Sequence, residues 1–243
     1  IHTVLDLADG EERELVFILG AGKHLKEVQS LIKQYSDLRM AQEEFDRVTD
    51  YWLETLGRIQ IKTPNQSANR MANGWLRYQT IASRFLARSG CYQSGGAFGF
   101  RDQLQDSMAM IFAAPELVRK HMIRSAAHQF PDGDAMHWWH PPVDRGVRTR
   151  CSDDYLWLPA TVERYVRITG DFSILDETVN YVEGRQLNPE EESYYDLPIV
   201  SSLHETIYQH CVRAIKHSFT RGVPGLPLIG AGHWNDGLNM TGI

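Results

Sequence analysis

The chain has 243 residues, 25 Lys and Arg against 31 Asp and Glu for a formal charge of −6, and 42% hydrophobic with 23% charged residues. That is the profile of a soluble globular protein. No window approaches the roughly 18 consecutive apolar residues of a membrane span, the N-terminus lacks the basic-then-apolar pattern of a secretory signal, and the negative charge excludes phosphate-backbone binding as the main task. Cys91, Cys151 and Cys211 are too few and scattered for a disulfide scaffold and lack the two-residue spacing of common zinc sites, which points to a reducing compartment. The first residue is Ile1 rather than Met, and the chain reads as part of something longer.

Along the chain, Arg13 to Leu19 is a β-branched and aromatic run between Asp9-Gly10 and Gly20-Ala21-Gly22, the pattern of one strand whose partners must lie upstream. Gly20-Ala21-Gly22-Lys23 lacks the third glycine and the spacing of a phosphate loop. From Glu27 the apolar residues recur at helical spacing, Val28, Leu31, Ile32 and Tyr35, then Phe45, Val48, Trp52, Leu53 and Leu56. Pro64 to Ser67 punctuates the chain, with a domain boundary predicted near Thr63, and Asn69 to Ala87 resumes the helical period.

Further helices are predicted over Gln103 to Ala113 and over Pro115 to Ala127, the second with proline in its first turn. Ser152-Asp153-Asp154 reads as a helix start, Leu158, Val162, Tyr165 and Val166 as its apolar face and Gly170 as its stop, with Pro159 implying a kink or a later start. A last helix is predicted to carry Val200, Leu203, Ile207, Cys211 and Ile215, and the acidic run Glu190 to Glu192 is a solvated loop. Helices alternating with polar-aromatic loops describe an all-helical barrel or bundle with its site at one end.

Three segments hold most of the polar-aromatic density: Tyr92 to Asp106, Gln129 to Pro159 and Gly230 to Asn239. Each mixes Trp or Phe with Asp, Arg and His, which suits a sugar, whose ring faces stack on aromatics and whose hydroxyls pair with Arg and carboxylates. On a helix Asp102 and Asp106 share a face, with Arg101 at the mouth, and spacing alone leaves open an ordinary solvated acidic pair. His128, His137 and His140 with Asp132 and Asp134 raise a metal site, but the spacing fits no standard zinc pattern and His beside Trp is more often packing, so no metal is expected. Arg145, Arg148 and Arg150 against Asp144, Asp153 and Asp154 form either a salt-bridge network or an anionic pocket. Trp234-Asn235-Asp236 sets a carboxylate beside an indole among glycines, where desolvation would raise the acid's pKa and suit it to proton donation; a plain turn fits the same residues.

Together these segments are far more specific than any one alone. GFRDQLQD, HQFPDGDAMHWWHPP followed by RGVRTRCSDDYLWLP, and WNDGLN, in this order, resemble the catalytic half of glycoside hydrolase family 94, the cellobiose phosphorylase-like family, and the wording follows its β-1,2-glucan branch, which includes the phosphorylase-like region of cyclic β-1,2-glucan synthases. The resemblance implies a mainly α chain: a remnant of an N-terminal β-sandwich over 1–25, a helical linker over 26–63 and the first half of an (α/α)6 barrel over 64–243. It also implies an inverting reaction in which inorganic phosphate cleaves a β-glucosidic bond to give α-glucose 1-phosphate. Phosphate is already an anionic nucleophile, so one carboxylic acid suffices.

By the same resemblance Asp236 is the proton donor, Trp234 the aromatic beside the cleaved glucose, and Arg101 and Asp106 bind that glucose's hydroxyls. Asp102, Arg150, Asp153 and Asp154 fall in the family's motifs as further substrate-binding residues. No cofactor is implied; phosphate is a co-substrate and a β-glucan oligosaccharide the partner. The setting would be cytoplasmic, or the cytosolic face of the inner membrane within a glucan synthase, and a homodimer is one expected assembly. Where the family usually reads Asp before the Trp, this sequence has His233. The family's phosphate-binding residues lie largely beyond Ile243, and with half a barrel the isolated segment is expected to be unstable or inactive.

Overall fold

The computed structural model of the chain describes residues 2–86, 96–219, 221–223 and 225–234. Two compact units divide it, residues 1–57 and 58–243. In the first, α1 (Leu25–Tyr35) opens on His24, whose ring Nδ1 accepts from the Glu27 N–H at 3.2 Å, while the Glu27 carboxylate accepts from the Lys23 N–H at 2.6 Å. This reciprocal arrangement satisfies donors that the first turn would otherwise strand. After it comes α2 (Leu38–Gly57), in which Thr55 is the buried residue.

The segment Arg13 to Leu19, read as a strand with its partners upstream, joins no ladder among the described residues. Its Val16 and Ile18 instead share a hollow of about 350 Å³ with Val28, Leu31 and Ile32 of α1. A β-branched run needs a neighbouring strand to become sheet.

The second unit opens with a helical run of two α segments, α3 (Gln66–Arg70) and α4 (Leu76–Thr80), each followed by a π-helical turn, Met71–Trp75 and Ile81–Phe85. Asn65 caps it, its side-chain oxygen accepting from the N–H groups of Ser67 and Ala68 at 3.0 and 3.1 Å. Among the described residues α5 (Phe100–Ser107), α6 (Pro115–Ala126), α7 (Trp157–Thr169) and α8 (Ile207–His217) follow. Helix α6 starts on Pro115 as expected, and α7 ends on Gly170 in the left-handed conformation at φ 71°. Before α7, a 3-10 turn over Asp154–Leu156 takes up the helix start read at Ser152 to Asp154, so Pro159 falls in the first turn, where its missing N–H costs nothing. Phe100 and Leu104 of α5, Val118 and Met122 of α6, and Leu158 and Val162 of α7 meet in a core from which solvent is nearly absent. Each such side chain contributes roughly 1.5–3 kcal/mol through burial.

Two antiparallel sheets among the described residues were not foreseen. One has the order β1 (Phe98–Gly99), β2 (Met136–His140), β3 (Arg145–Thr149), β5 (Ser193–Asp196), and the other pairs β4 (Thr178–Glu183) with β6 (Ile199–Thr206). Val200 and Leu203, expected on the last helix, lie in β6 instead, and α8 starts only at Ile207, capped by the Thr206 hydroxyl. The long polar-aromatic loop is largely the β2–β3 hairpin. Close approach makes that hairpin: a Cβ on Gly146 would lie 2.1 Å from the Trp138 carbonyl oxygen. Trp139, fully buried, stacks on His128 with ring centroids 3.8 Å apart, so this histidine is a packing residue. Close to half of the chain is helical, with these strands set among the helices.

Candidate functional site

The centre of the site is Arg101, on the first turn of α5 and 4% exposed. Its Nη1 donates to Asp153 Oδ1 at 3.1 Å and to the backbone carbonyl of His233 at 3.0 Å, and Asp154 Oδ1 stands 4.0 Å away. The guanidinium lies over the Trp234 ring, 5.3 Å from its centroid. Asp153 accepts a second bond from the indole N–H of Trp157 at 3.3 Å, and the Trp157 and Trp234 rings approach to 6.3 Å. Residues from all three polar-aromatic segments thus meet at a single guanidinium. A buried cation so held is pre-organised, because a carboxylate and a carbonyl already fix its Nη1 and a second carboxylate stands nearby.

The segment that carries Trp234 is stitched in place by backbone contacts. Cys151 bridges to both Gly230 and Gly232, the Ala231 N–H donates to the Arg150 carbonyl at 3.2 Å, and the Ser152 N–H donates to the Gly232 carbonyl at 3.1 Å. Gly230 has φ 66°, and a Cβ there would lie 2.1 Å from the Arg150 oxygen, so the sequence needs glycine at this point. Trp234 itself remains about half exposed, an aromatic face open to a ligand. Asp236 lies outside the described residues.

Other expected site residues sit apart from this cluster. Asp102 is on the first turn of α5 with its carboxylate against Gly99. Asp106, one turn on, is partly exposed and takes the Arg84 Nε–H at 2.5 Å. Arg150 donates to the Asn188 carbonyl at 2.6 Å and lines a cavity of about 550 Å³ together with Asp132, Asp134, Arg148 and Tyr155. The expected partnering of Arg145, Arg148 and Arg150 with Asp144, Asp153 and Asp154 is replaced by another pattern. Arg148 forms a bidentate pair with Asp134, at 2.6 and 2.7 Å, and a further bond to Asp132 at 2.9 Å, all facing that cavity, while Asp153 belongs to Arg101.

Sequence reasoning missed the neighbours of Asp154. This carboxylate is 2% exposed, and its Oδ2 lies 2.7 Å from His137 Nδ1. In the β2–β3 ladder Met136 faces Arg148 and Trp138 faces Val147, which leaves His137 as the extra residue of a β-bulge and turns its ring toward Asp154. Burial pushes the Asp154 carboxyl up, against the pull of His137. For His137, burial alone would lower the pKa, but the hydrogen bonds to Asp154 and Cys151 outweigh it and raise it to about 10. The donor atoms of His137, Cys151 and Asp154 all lie within 4.8 Å of one another. A signal was present, since His137 and the Cys151-Ser152-Asp153-Asp154 run stand in the same segment, but only the bulge and the turn before α7 bring them together.

An arginine on the first turn of α5, held by a carboxylate and lying over a half-exposed indole, sets a hydrogen-bonding cation beside an aromatic face. Residues 51–242 match the Glycosyl hydrolase 94 superfamily, catalytic domain, and the chain belongs to this family. It is 39% identical, over its whole length, to the cyclic beta-(1,2)-glucan synthase NdvB of Rhizobium meliloti (strain 1021), of which it covers 8%. It is 28% identical, again over its whole length, to an N,N'-diacetylchitobiose phosphorylase of Vibrio furnissii, covering 31% of that protein. A solabiose phosphorylase of Paenibacillus borealis is 27% identical over 99% of the chain, which covers 28% of it. The chain thus spans less than a third of the length of these relatives. No helix among the described residues is long and apolar enough to cross a membrane.

Proposed function

We propose that the protein carrying this chain is an inverting glycoside phosphorylase that cleaves a terminal β-glucosidic bond of β-1,2-linked gluco-oligosaccharides with inorganic phosphate, giving α-glucose 1-phosphate. The observation that carries the reading is the convergence on Arg101 of Asp153 and the His233-Trp234 backbone and ring, two residues ahead of Asp236. In this reading Asp236 protonates the leaving glycosidic oxygen while phosphate attacks the anomeric carbon from the opposite face, so that one carboxylic acid serves where a hydrolase needs two. The half-exposed Trp234 offers its face to the glucose ring. Arg101, already neutralised by Asp153, is suited to hydrogen-bond sugar hydroxyls without drawing phosphate into the wrong subsite. Asp102 and Asp106 on α5 and Arg150 beside the cavity extend the contact to more of the substrate, within an (α/α)6 barrel. No cofactor takes part.

The β-1,2 linkage rests on the likeness to a cyclic beta-(1,2)-glucan synthase, and that likeness also favours a second reading, in which the same chemistry trims or measures chains inside a glucan synthase. Both are tested with the full-length gene product incubated with β-1,2-gluco-oligosaccharides, with and without phosphate, and with Asp236→Asn as the control. Phosphate-dependent α-glucose 1-phosphate that disappears in Asp236→Asn is the expected result. Glucan binding without any sugar phosphate, equal in both proteins, would replace the reading with a non-catalytic glucan-binding role.

A further inference from the structure

We propose that His137, Cys151 and Asp154 form a binding site for a soft divalent cation of the zinc type, with three protein ligands and an open fourth position. The inference stands on the geometry of these residues and is independent of the proposed function. An imidazole nitrogen, a thiol sulfur and a carboxylate oxygen from two structural elements lie mutually within 4.8 Å. Metal–ligand lengths of about 2.0–2.3 Å put tetrahedral donors roughly 3.3–3.8 Å apart, so side-chain adjustments of about 1 Å close the site.

Three further observations point the same way. The bulge at His137 exists at the cost of a ladder position, and its product is a ring aimed at Asp154 rather than across the sheet. Asp154 keeps coordinating capacity: its Oδ2 meets His137, while its Oδ1 is buried with no hydrogen-bond partner among the described residues, the Arg101 Nη1 being 4.0 Å away. Cys151 lines the cavity of about 550 Å³, so the site borders open space on its cysteine side. One sulfur, one nitrogen and one oxygen select zinc or cobalt over magnesium or calcium, which take oxygen alone. Binding forms three metal–ligand bonds and releases the thiol proton of Cys151 and the proton held between His137 and Asp154 to solvent.

Cobalt(II) titrated into the full-length gene product tests this through its absorption spectrum. The expected result is a thiolate-to-cobalt charge-transfer band that saturates at one equivalent, is displaced by Zn²⁺, vanishes in Cys151→Ser, and needs at least about ten-fold more metal in Asp154→Asn and His137→Gln, since even outer-shell losses cost that much. Cys211→Ser, which removes a buried thiol elsewhere, should keep the band. Should Cys151→Ser fail to fold, Zn²⁺ protection of Cys151 from iodoacetamide in the unsubstituted protein, read by peptide mass, decides the matter. A band that survives Cys151→Ser, or alkylation of Cys151 at the same rate with and without Zn²⁺, would overturn the proposal.

Discussion

Helices α1 and α2 and helices α5 to α8 follow the same amphipathic rule and meet opposite fates. In α1 no residue is buried, in α2 Thr55 is, and Leu25, Phe45 and Leu53 are each about two-thirds exposed or more. In α5, α6 and α7, Phe100, Leu104, Val118, Met122 and Leu158 are sealed from solvent. Periodicity therefore decides that a helix forms, and cover decides what the helix is worth. The covered region can also afford buried charge. Arg101, Asp153 and Asp154 sit where desolvation makes each one depend on the others, whereas the charges of α2, such as the Arg39–Glu43 pair, are exposed.

The contrast yields predictions that run from large to small. Arg101→Met leaves the buried Asp153 carboxylate without its cation, Asp154 keeping His137, and should cost about 3–5 kcal/mol in urea unfolding of the full-length gene product; a loss under about 1 kcal/mol would mean that the cluster is wet and the two regions less different than their burial implies. Next, Gly146→Ala drives a methyl into the Trp138 carbonyl, and a cost of about 1–3 kcal/mol or more is expected from the same measurement, with near-ultraviolet dichroism of the hairpin tryptophans changing in parallel.

A pH series sharpens the comparison further. His121 of α6 is almost wholly buried beside Phe85 and Phe98, and burial pushes its pKa from 6.5 down to about 3. The folded state then holds a neutral ring while the unfolded chain takes up a proton, so this contribution to stability is complete above pH 6.5 and is lost as pH falls toward 3. Melting temperatures measured across that window should drop with acid, and less steeply in His121→Phe. Smallest of all, Phe45→Ser and Leu53→Gln on α2 should stay within about 0.5 kcal/mol. A larger loss in the full-length gene product would show that something covers that face there.

Much of the covered region was legible because its signals are local. Pro115 opens α6, Gly170 closes α7, and the face Leu158, Val162 and Tyr165 follows from spacing alone. The meeting of Arg101, Asp153 and Trp234 was legible only as motif resemblance, since their hydrogen bonds join residues 52 to 132 positions apart. The sheets escaped notice for a physical reason. In β2 the bulge at His137 breaks the period of two, and in β3 the buried Arg148 looks like a surface residue until Asp134 pairs with it. In β4, by contrast, buried Val179 and Tyr181 do alternate with exposed Thr178 and Asn180, a signal that was there to read. Arg13 to Leu19 has the residue types of a strand and no neighbouring strand among the described residues, so it joins no ladder there.

The bond from Arg101 to residue 233 ends on the backbone carbonyl, an atom common to all twenty residue types. The anchor of the Trp234 segment is therefore indifferent to the side chain at that position, and a substitution there leaves the length and direction of the tether unchanged. Substitution at position 233 changes the charge beside Trp234 with the scaffold that holds the tryptophan left intact.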